Sequence, residues 1–345
     1  MNIKQCINSA IASRYFQFFV TVILFIALYG VGIGTYSGFS RAQVFWNLLI
    51  DNATLIIVTV GVTFTIITGG GGIDISVGSV VALVCMSLAY LLQNTEMAIP
   101  LAIFLVLLIG IVVGLIQGCF ISIFNMQPFI VTLAGLFFCR GMTAVISRDT
   151  ITIDNPTYVA IASERINMFG TGFISVGAVL ALVVLVVAIL VLKYTKFGRT
   201  LFAIGGNENS ASLMGLPVVR TKILAYVISG FCAALGGIVY SWIMLSGYTL
   251  HAMGMEMDAI ASSVIGGTLL TGGVAFMPGT IFGVLIQGII LTFITFQGTL
   301  SAWWTKIVVG ALLCAFIIMQ ALITEHKNKL TSKKSMESAK KVDNQ

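Results

Sequence analysis

From about Tyr15 to Ile323 the sequence is one apolar run after another, and nothing between the runs carries enough charge to wet a soluble surface. Of its 345 residues, 58% are hydrophobic and 9% are charged; a soluble domain carries about 25% charged residues. Lipid offers no partner to a free backbone amide or carbonyl, so apolar runs of this length must satisfy themselves as helices. The chain is therefore expected to be an all-α integral membrane protein. The runs are Tyr15–Ile33, Val44–Thr68, Ile75–Leu92, Met97–Phe124, Pro128–Ile146, Phe173–Tyr194, Ile223–Ser246, Met257–Leu270, Phe276–Phe296 and Ala302–Ile323, about ten transmembrane segments. A helix needs ~20 residues to cross a hydrocarbon core of ~30 Å. Met257–Leu270 is too short and too rich in small residues for that, and reads as a partial or broken helix supported by protein neighbours. The first run is too long for the apolar core of a secretory leader, and no clear cleavage site follows it, so it reads as a retained span.

Ten crossings put both termini on one side, and the cations say which. Thirteen of the 18 Lys and Arg fall on the side of the N-terminus: Lys4 and Arg14, the group Lys193 to Lys222, and six lysines in the tail from Lys327 to Lys341. Cytoplasmic loops hold the excess of Lys and Arg, so both termini and the interval Lys196–Lys222 are expected in the cytoplasm and Ser147–Gly172 outside. The net charge of +6 then belongs to a juxtamembrane tail rather than to a nucleic-acid surface. The resulting division is a cytoplasmic N-terminus over 1–14, a transmembrane domain over 15–323 with a cytoplasmic segment at 195–222, and a basic cytoplasmic tail over 324–345.

The longest polar, cation-flanked interval, Lys196–Lys222, reads as a small fold of its own. Arg199 to Ile204 form a short helix stopped by Gly205 and Gly206. Asn207 N-caps a second helix with Glu208 in its first turn, and Gly215 ends it before Pro217. Ala211, Leu213, Met214 and Leu216 give the unit an apolar side. It is either a plain connecting loop or a docking knob for a soluble partner. There is also an internal echo. Asp51-Asn52-Ala53 leads into an apolar run and then Thr68 to Gly72; Asp258-Ala259 leads into another and then Thr271-Gly272-Gly273. Repeated halves with glycine-broken helices point to sites near the midplane of transporters.

Within or beside the spans lie Asp51, Asp74, Arg140, Glu256, Asp258 and Lys306. Intramembrane ionisable groups face a cavity or a partner. Asp74 reads either as the cap of the following helix, accepting from the Ser76 or Val77 amide, or as a group on a translocation path; Asp258 has the same two readings. Arg140, Arg148 and Lys306 are expected to snorkel to an interface, and Trp303 and Trp304 to anchor in the outer interfacial belt. No site chemistry competes with these. The glycine run lacks the Lys-Ser/Thr ending of a nucleotide-binding loop. His251 and His326 are isolated, so no metal site is expected. Cys6, Cys85, Cys119, Cys139, Cys232 and Cys314 make no CxxC pair and read as small packing residues. No Ser/His/Asp arrangement is present, so neither an enzyme nor a resident cofactor is expected.

Five ordered stretches carry a resemblance: Gly72-Ile73-Asp74-Ile75-Ser76-Val77-Gly78-Ser79; Pro128-Phe129-Ile130-Val131-Thr132-Leu133-Ala134-Gly135; Phe197-Gly198-Arg199; Ala203-Ile204-Gly205-Gly206-Asn207 with Ala211 and Gly215; and Ser263-Val264-Ile265-Gly266-Gly267-Thr268. In these the chain resembles the permease subunits of bacterial ABC sugar importers of the ribose, xylose and galactose kind. The stretches Glu256–Ser262 and Gly298–Lys306 look most like the galactofuranose-importing members. One departure is clear: the family writes Ser or Thr, two glycines, Ile, Asp, whereas here four glycines, Gly69 to Gly72, separate Thr68 from Ile73. A longer loop is expected to absorb the two extra residues.

The resemblance implies an inner-membrane permease for a monosaccharide, galactofuranose, galactose or a related sugar. It implies a sister permease in a homo- or heterodimer, a periplasmic sugar-binding protein outside and a sugar-type ATPase inside. It makes Gly205, Asn207, Ala211 and Gly215 part of the ATPase-coupling element, with Glu208, Leu213 and Met214 included by position. Force on Asn207–Gly215 is expected to tilt the flanking spans Phe173–Tyr194 and Ile223–Ser246. Asn52, Thr63, Asp74, Ser76 and Asp258 are expected along the sugar path. The rival readings are an ion-coupled secondary transporter or channel using Asp51, Asp74 and Asp258, and a membrane enzyme or scaffold.

Overall fold

The computed structural model describes residues 16–95, 97–168, 170, 172–298, 301 and 303–342. Residues 1–14 and the end of the basic tail lie outside the described residues, as do the side chains of the tail lysines. The two faces are named below by the orientation that the cations assign.

The chain starts at the inner face with α1 (Phe16–Thr35) and returns through α2 (Ala42–Asp51) and α3 (Ala53–Ile67). These two form a single expected span bent by 53° at Asn52. Then come α4 (Val77–Asn94), α5 (Ile99–Ser122) and α6 (Pro128–Ile146). The outer loop folds as β1 (Ile151–Thr152), α7 (Pro156–Ser163), β2 (Arg165–Met168) and β3 (Gly172–Ser175). α8 (Val176–Tyr194) descends to α9 (Lys196–Gly206) and α10 (Glu208–Leu213), and α11 (Val218–Met244) rises again to β4 (Ser246–Gly247). α12 (Met255–Ile265), α13 (Met277–Gln297) and α14 (Trp303–Val342) complete the order. Among the described residues, eight helices are long and apolar enough to cross a membrane, and the bent pair makes a ninth. The tenth expected segment is α12, whose 11 residues extend only about 16 Å, so it is a half-helix. Sheet is limited to two antiparallel ribbons at the outer face, β1 with β4 and β2 with β3.

The core is built on α11, 27 residues long, which packs against α3, α4 and α5. Lipid supplies no hydrophobic drive between helices, so close backbone approach must hold them. Gly110, Gly114 and Gly118 form one stripe on α5, and a Cβ on any of them would strike the α11 backbone at Gly230, Tyr226 or Ile223. This small-residue stripe at a spacing of four lets the two backbones close on each other.

Two non-helical stretches enter the helical body, and both are satisfied by side chains from a distance. Ile73–Ser76 climbs from the inner face before α4 begins at Val77, two residues later than expected. Thr132 Oγ1 on α6 donates to Ile73 O at 3.2 Å, and Gln117 Nε2 on α5 donates to Ser76 Oγ at 2.9 Å. At the other face Leu245–Gly254 dips inward so far that Gly247 lies against Met86 and Ala89 of α4. Arg140 holds this strap, its Nη1 donating to Thr249 O at 2.6 Å and to His251 O at 2.8 Å. Arg140 therefore does not snorkel: the strap's carbonyls need a donor that lipid cannot provide. Nor does Lys306, whose Nζ pairs with Asp258 Oδ2 at 2.5 Å.

Candidate functional site

The inner interval is a tight double helix-turn. Thr195 caps α9 through Gly198 N. Gly198 itself is needed because a Cβ there would overlap Leu192 O. α9 does not stop at the two glycines as expected but runs through them to Gly206; the break comes at Asn207, whose extended φ of −161° turns the chain. Asn207 Oδ1 then accepts from Ser210 N at 2.8 Å and caps α10, satisfying one of the orphan donors of a helix start. The other end closes as a Schellman motif. Leu216 N donates to Ala211 O at 3.1 Å and Gly215 N to Ser212 O at 2.9 Å, with Gly215 at φ +75°. The same motif ends α12, where Thr268 N donates to Ser263 O and Gly267 N to Val264 O, each at 3.0 Å.

The apolar residues of α10 do not share one side. Ala211 is fully buried toward the protein and Leu216 is half-buried. Leu213 is 90% exposed and Met214 68% exposed, so both project from the tip. Glu208 is tied to α11 by an ion pair with Lys222 at 2.6 Å.

Gly205 does not face outward with them. It sits in a junction of four glycines drawn from three parts of the chain. A Cβ on Gly205 would overlap Ile67 O and the Gly273 backbone; one on Gly272 would overlap Gly69; one on Gly273 would come within 2.6 Å of Gly206 N. Gly273 N donates to Ile67 O at 3.1 Å. The junction thus joins α9 directly to the end of α3 and to the turn after α12. These are the two echoing stretches of the sequence, and their helices also touch higher up, where Thr63 Oγ1 meets Ser263 Oγ at 2.9 Å. The extra glycines lie beside this junction without entering it. Gly72 N donates to Gly69 O at 2.9 Å, and Gly70 (φ +60°) and Gly71 (φ +77°) form the tip of that turn in open space, the geometry of a type I′ turn.

The expected path residues are distributed as follows. Asp74 is buried between helices, where Oδ1 accepts from Ser76 N at 3.0 Å and Ser76 Oγ at 2.6 Å and Oδ2 accepts from Ser229 Oγ at 2.7 Å. Ser76 is buried with it. Thr63 is buried in the α3–α12 contact. Asp258 is paired with Lys306. Asn52, whose Nδ2 donates to Leu48 O at 2.8 Å, borders an open groove with Asp51, Gly288 and Thr292. Glu256, one of the ionisable groups expected within or beside the spans, lies in the first turn of α12, is buried and packs against Gly78. Among the described residues, no group of His, Cys, Asp and Glu is arranged to hold a metal ion.

Comparison with known proteins gives the arrangement a family. Residues 44–317 match the model of a family described as the permease component of branched-chain amino acid transport systems. An inner membrane ABC transporter permease of Escherichia coli, YjfF, is 43% identical over 90% of this chain and 93% of its own length. The fructose import permease FruG of Bifidobacterium longum is 39% identical over 88% of this chain and 89% of its own. A ribose import permease of Haemophilus influenzae, RbsC, is 36% identical over 70% and 74%. No solved structure matches the chain. Multiple apolar helices and inner-membrane relatives make it a multi-pass inner membrane protein, and the chain belongs to the permease-component family of ABC importers, in the branch that holds the sugar-import permeases.

Proposed function

We propose that this chain is the membrane subunit through which an ABC importer passes a monosaccharide, and that α10 is where the ATPase takes hold. The observation that carries the reading is the contrast within α10. Its two ends are locked by an Asn207 cap and a Gly215 Schellman turn, yet Leu213 and Met214 stand out in solvent. A large exposed apolar pair on a rigid, capped tip fits a groove on a soluble partner.

Transmission follows from the glycine junction. Movement of α10 acts on α9, and at Gly205 α9 meets the end of α3 and the turn after α12 backbone to backbone, beside a ring contact between Phe197 of α9 and Phe64 of α3. Backbone contacts have no rotamers to absorb a displacement, so α3 and the half-helix α12 move with the coupling unit, together with the flanking α8 and α11. The companions implied by this reading are a sugar-type ATPase, a sister permease and a periplasmic sugar-binding protein. The sugar favoured is galactofuranose or galactose, on the resemblance of Glu256–Ser262 and Gly298–Lys306. The relatives named for their sugars include fructose and ribose permeases, so the class is a neutral monosaccharide.

The test is direct. Tagged chain expressed from its own operon should bring down an ATPase and a sister permease. Uptake of labelled sugars by the cells should survive an uncoupler while ATP persists. Uptake that collapses with the proton gradient, with no ATPase recovered, would overturn the reading in favour of ion coupling.

A further inference from the structure

α2 carries a polar stripe, of which Gln43 is tied into the fold through Phe173 of β3. Gln43, Asn47 and Asp51 recur every four residues and so share one helix face, opposite the buried Leu48 and Leu49. This face lines a groove between α2 and α13 that opens at the outer surface beside Arg41. Its outer part holds about 430 Å³ and its deeper part about 260 Å³; Asn47 and Phe296 line both. Thr292 and Thr295 of α13 face the deeper part. The floor is closed where Gly288 leaves just enough room for the Asn52 amide, since a Cβ there would come within 2.5 Å of Nδ2.

The polar groups in it are only partly consumed by the fold: Thr292 Oγ1 and Thr295 Oγ1 donate to Gly288 O and Leu291 O of their own helix, which leaves their oxygens as acceptors. Gln43 is engaged, accepting from Phe173 N at 2.9 Å and donating to Asn47 Oδ1 at 2.7 Å. That leaves Asn47 Nδ2 as a donor. Asp51 is exposed and has no hydrogen-bond or ionic partner among the described residues. A carboxylate placed a full helix below the outer rim and left unpaired is expensive unless water or a ligand meets it. Three acceptors (the Asp51 carboxylate and the two threonine oxygens), one amide donor and an aromatic face at Phe296 match the mixed donor and acceptor edge of a pyranose or furanose. The volume accommodates one ring.

We propose that this groove is an outward-facing station for the sugar, in which Asp51 accepts from adjacent hydroxyls, Asn47 donates, and Phe296 covers the apolar face of the ring. The proposal rests on the sugar-importer reading and assigns a site within one subunit. A Cys at Asn47 or Thr295, in a chain whose exposed Cys314 is replaced, tests it in the assembled importer. An impermeant maleimide added from outside should label each position, and at least one of galactose, fructose and ribose should slow labelling severalfold where glycine betaine of equal osmolality does not. Asp51→Asn and Asp51→Ala should each raise the apparent KM for uptake about tenfold. Absence of labelling, as when a sister chain covers the groove, overturns the proposal. So does labelling that no transported sugar slows, or an unchanged KM in Asp51→Ala. Failure of the importer reading itself would look different, because the unaltered complex would then take up none of the sugars.

Discussion

The inner and outer ends of this molecule are built on opposite principles. At the inner end, Gly69, Gly205, Gly272 and Gly273 bring three segments into backbone contact and leave no space for a methyl group. At the outer end, α2 and α13 stand apart around polar side chains and open volume. Backbone on backbone transmits displacement, because nothing between the segments can rearrange. A groove lined by hydroxyls, amides and a carboxylate does the reverse: it adapts to what enters and passes little force. In the importer proposed above, the difference would separate the end that receives work from the end that receives substrate.

The comparison predicts where substitutions are felt most. Gly272→Ala should be the most damaging. The new Cβ overlaps Gly69 at a residue with φ +87°, adding ~1–2 kcal/mol of left-handed strain to the ~1–3 kcal/mol of overpacking. Membrane yield and thermal stability in detergent should both fall sharply. Asp74→Ala comes next. It leaves the hydroxyls of Ser76 and Ser229 without the carboxylate they donate to, at about 3 kcal/mol since each such charged bond is worth ~1.5–3. Asp74→Asn should recover part of the loss, measured by the same melting assay. Leu213→Ser with Met214→Ser should leave the fold untouched, because both side chains are exposed. Each apolar side chain buried at a contact contributes about 1.5–3 kcal/mol, so ATPase association should weaken at least tenfold in pull-down titrations. The smallest effect is expected at Gly70→Asn. Its side chain would enter open space, and Asn tolerates the left-handed position of a type I′ turn, so melting and uptake should match the unaltered chain.

Much of this was legible in the sequence because it is local. Runs of ~20 apolar residues announce spans, and the short run at Met257 announced a half-helix. Asn207 and Gly215 announced the ends of α10, because caps act over a single turn. What escaped depends on partners far along the chain. Arg140 reads as a snorkelling cation until the carbonyls of Thr249 and His251 come within reach. The bend at Asn52 leaves no mark, since no Pro interrupts Val44–Thr68. Gly205 and Gly206 are indistinguishable as letters and read as helix stops. Only the fold aims a Cβ at Gly205 against Ile67 and Gly273 and a Cβ at Gly206 into open space. The ribbons β1 and β4 are two residues each, too short for an alternating pattern to emerge.

That last pair of glycines offers the most direct measurement. Gly205→Ala and Gly206→Ala add the same methyl group to consecutive residues of α9, one against the junction and one into free space. Sugar moved per ATP hydrolysed should be measured for both in proteoliposomes holding the complete importer. If the junction transmits the stroke, Gly205→Ala lowers the yield of complex, as overpacking requires, and the complexes that do assemble retain ATP hydrolysis and ATPase binding but move roughly tenfold less sugar per ATP, an effect of about 1.4 kcal/mol, while Gly206→Ala matches the unaltered complex. Equal coupling in both variants would contradict the account.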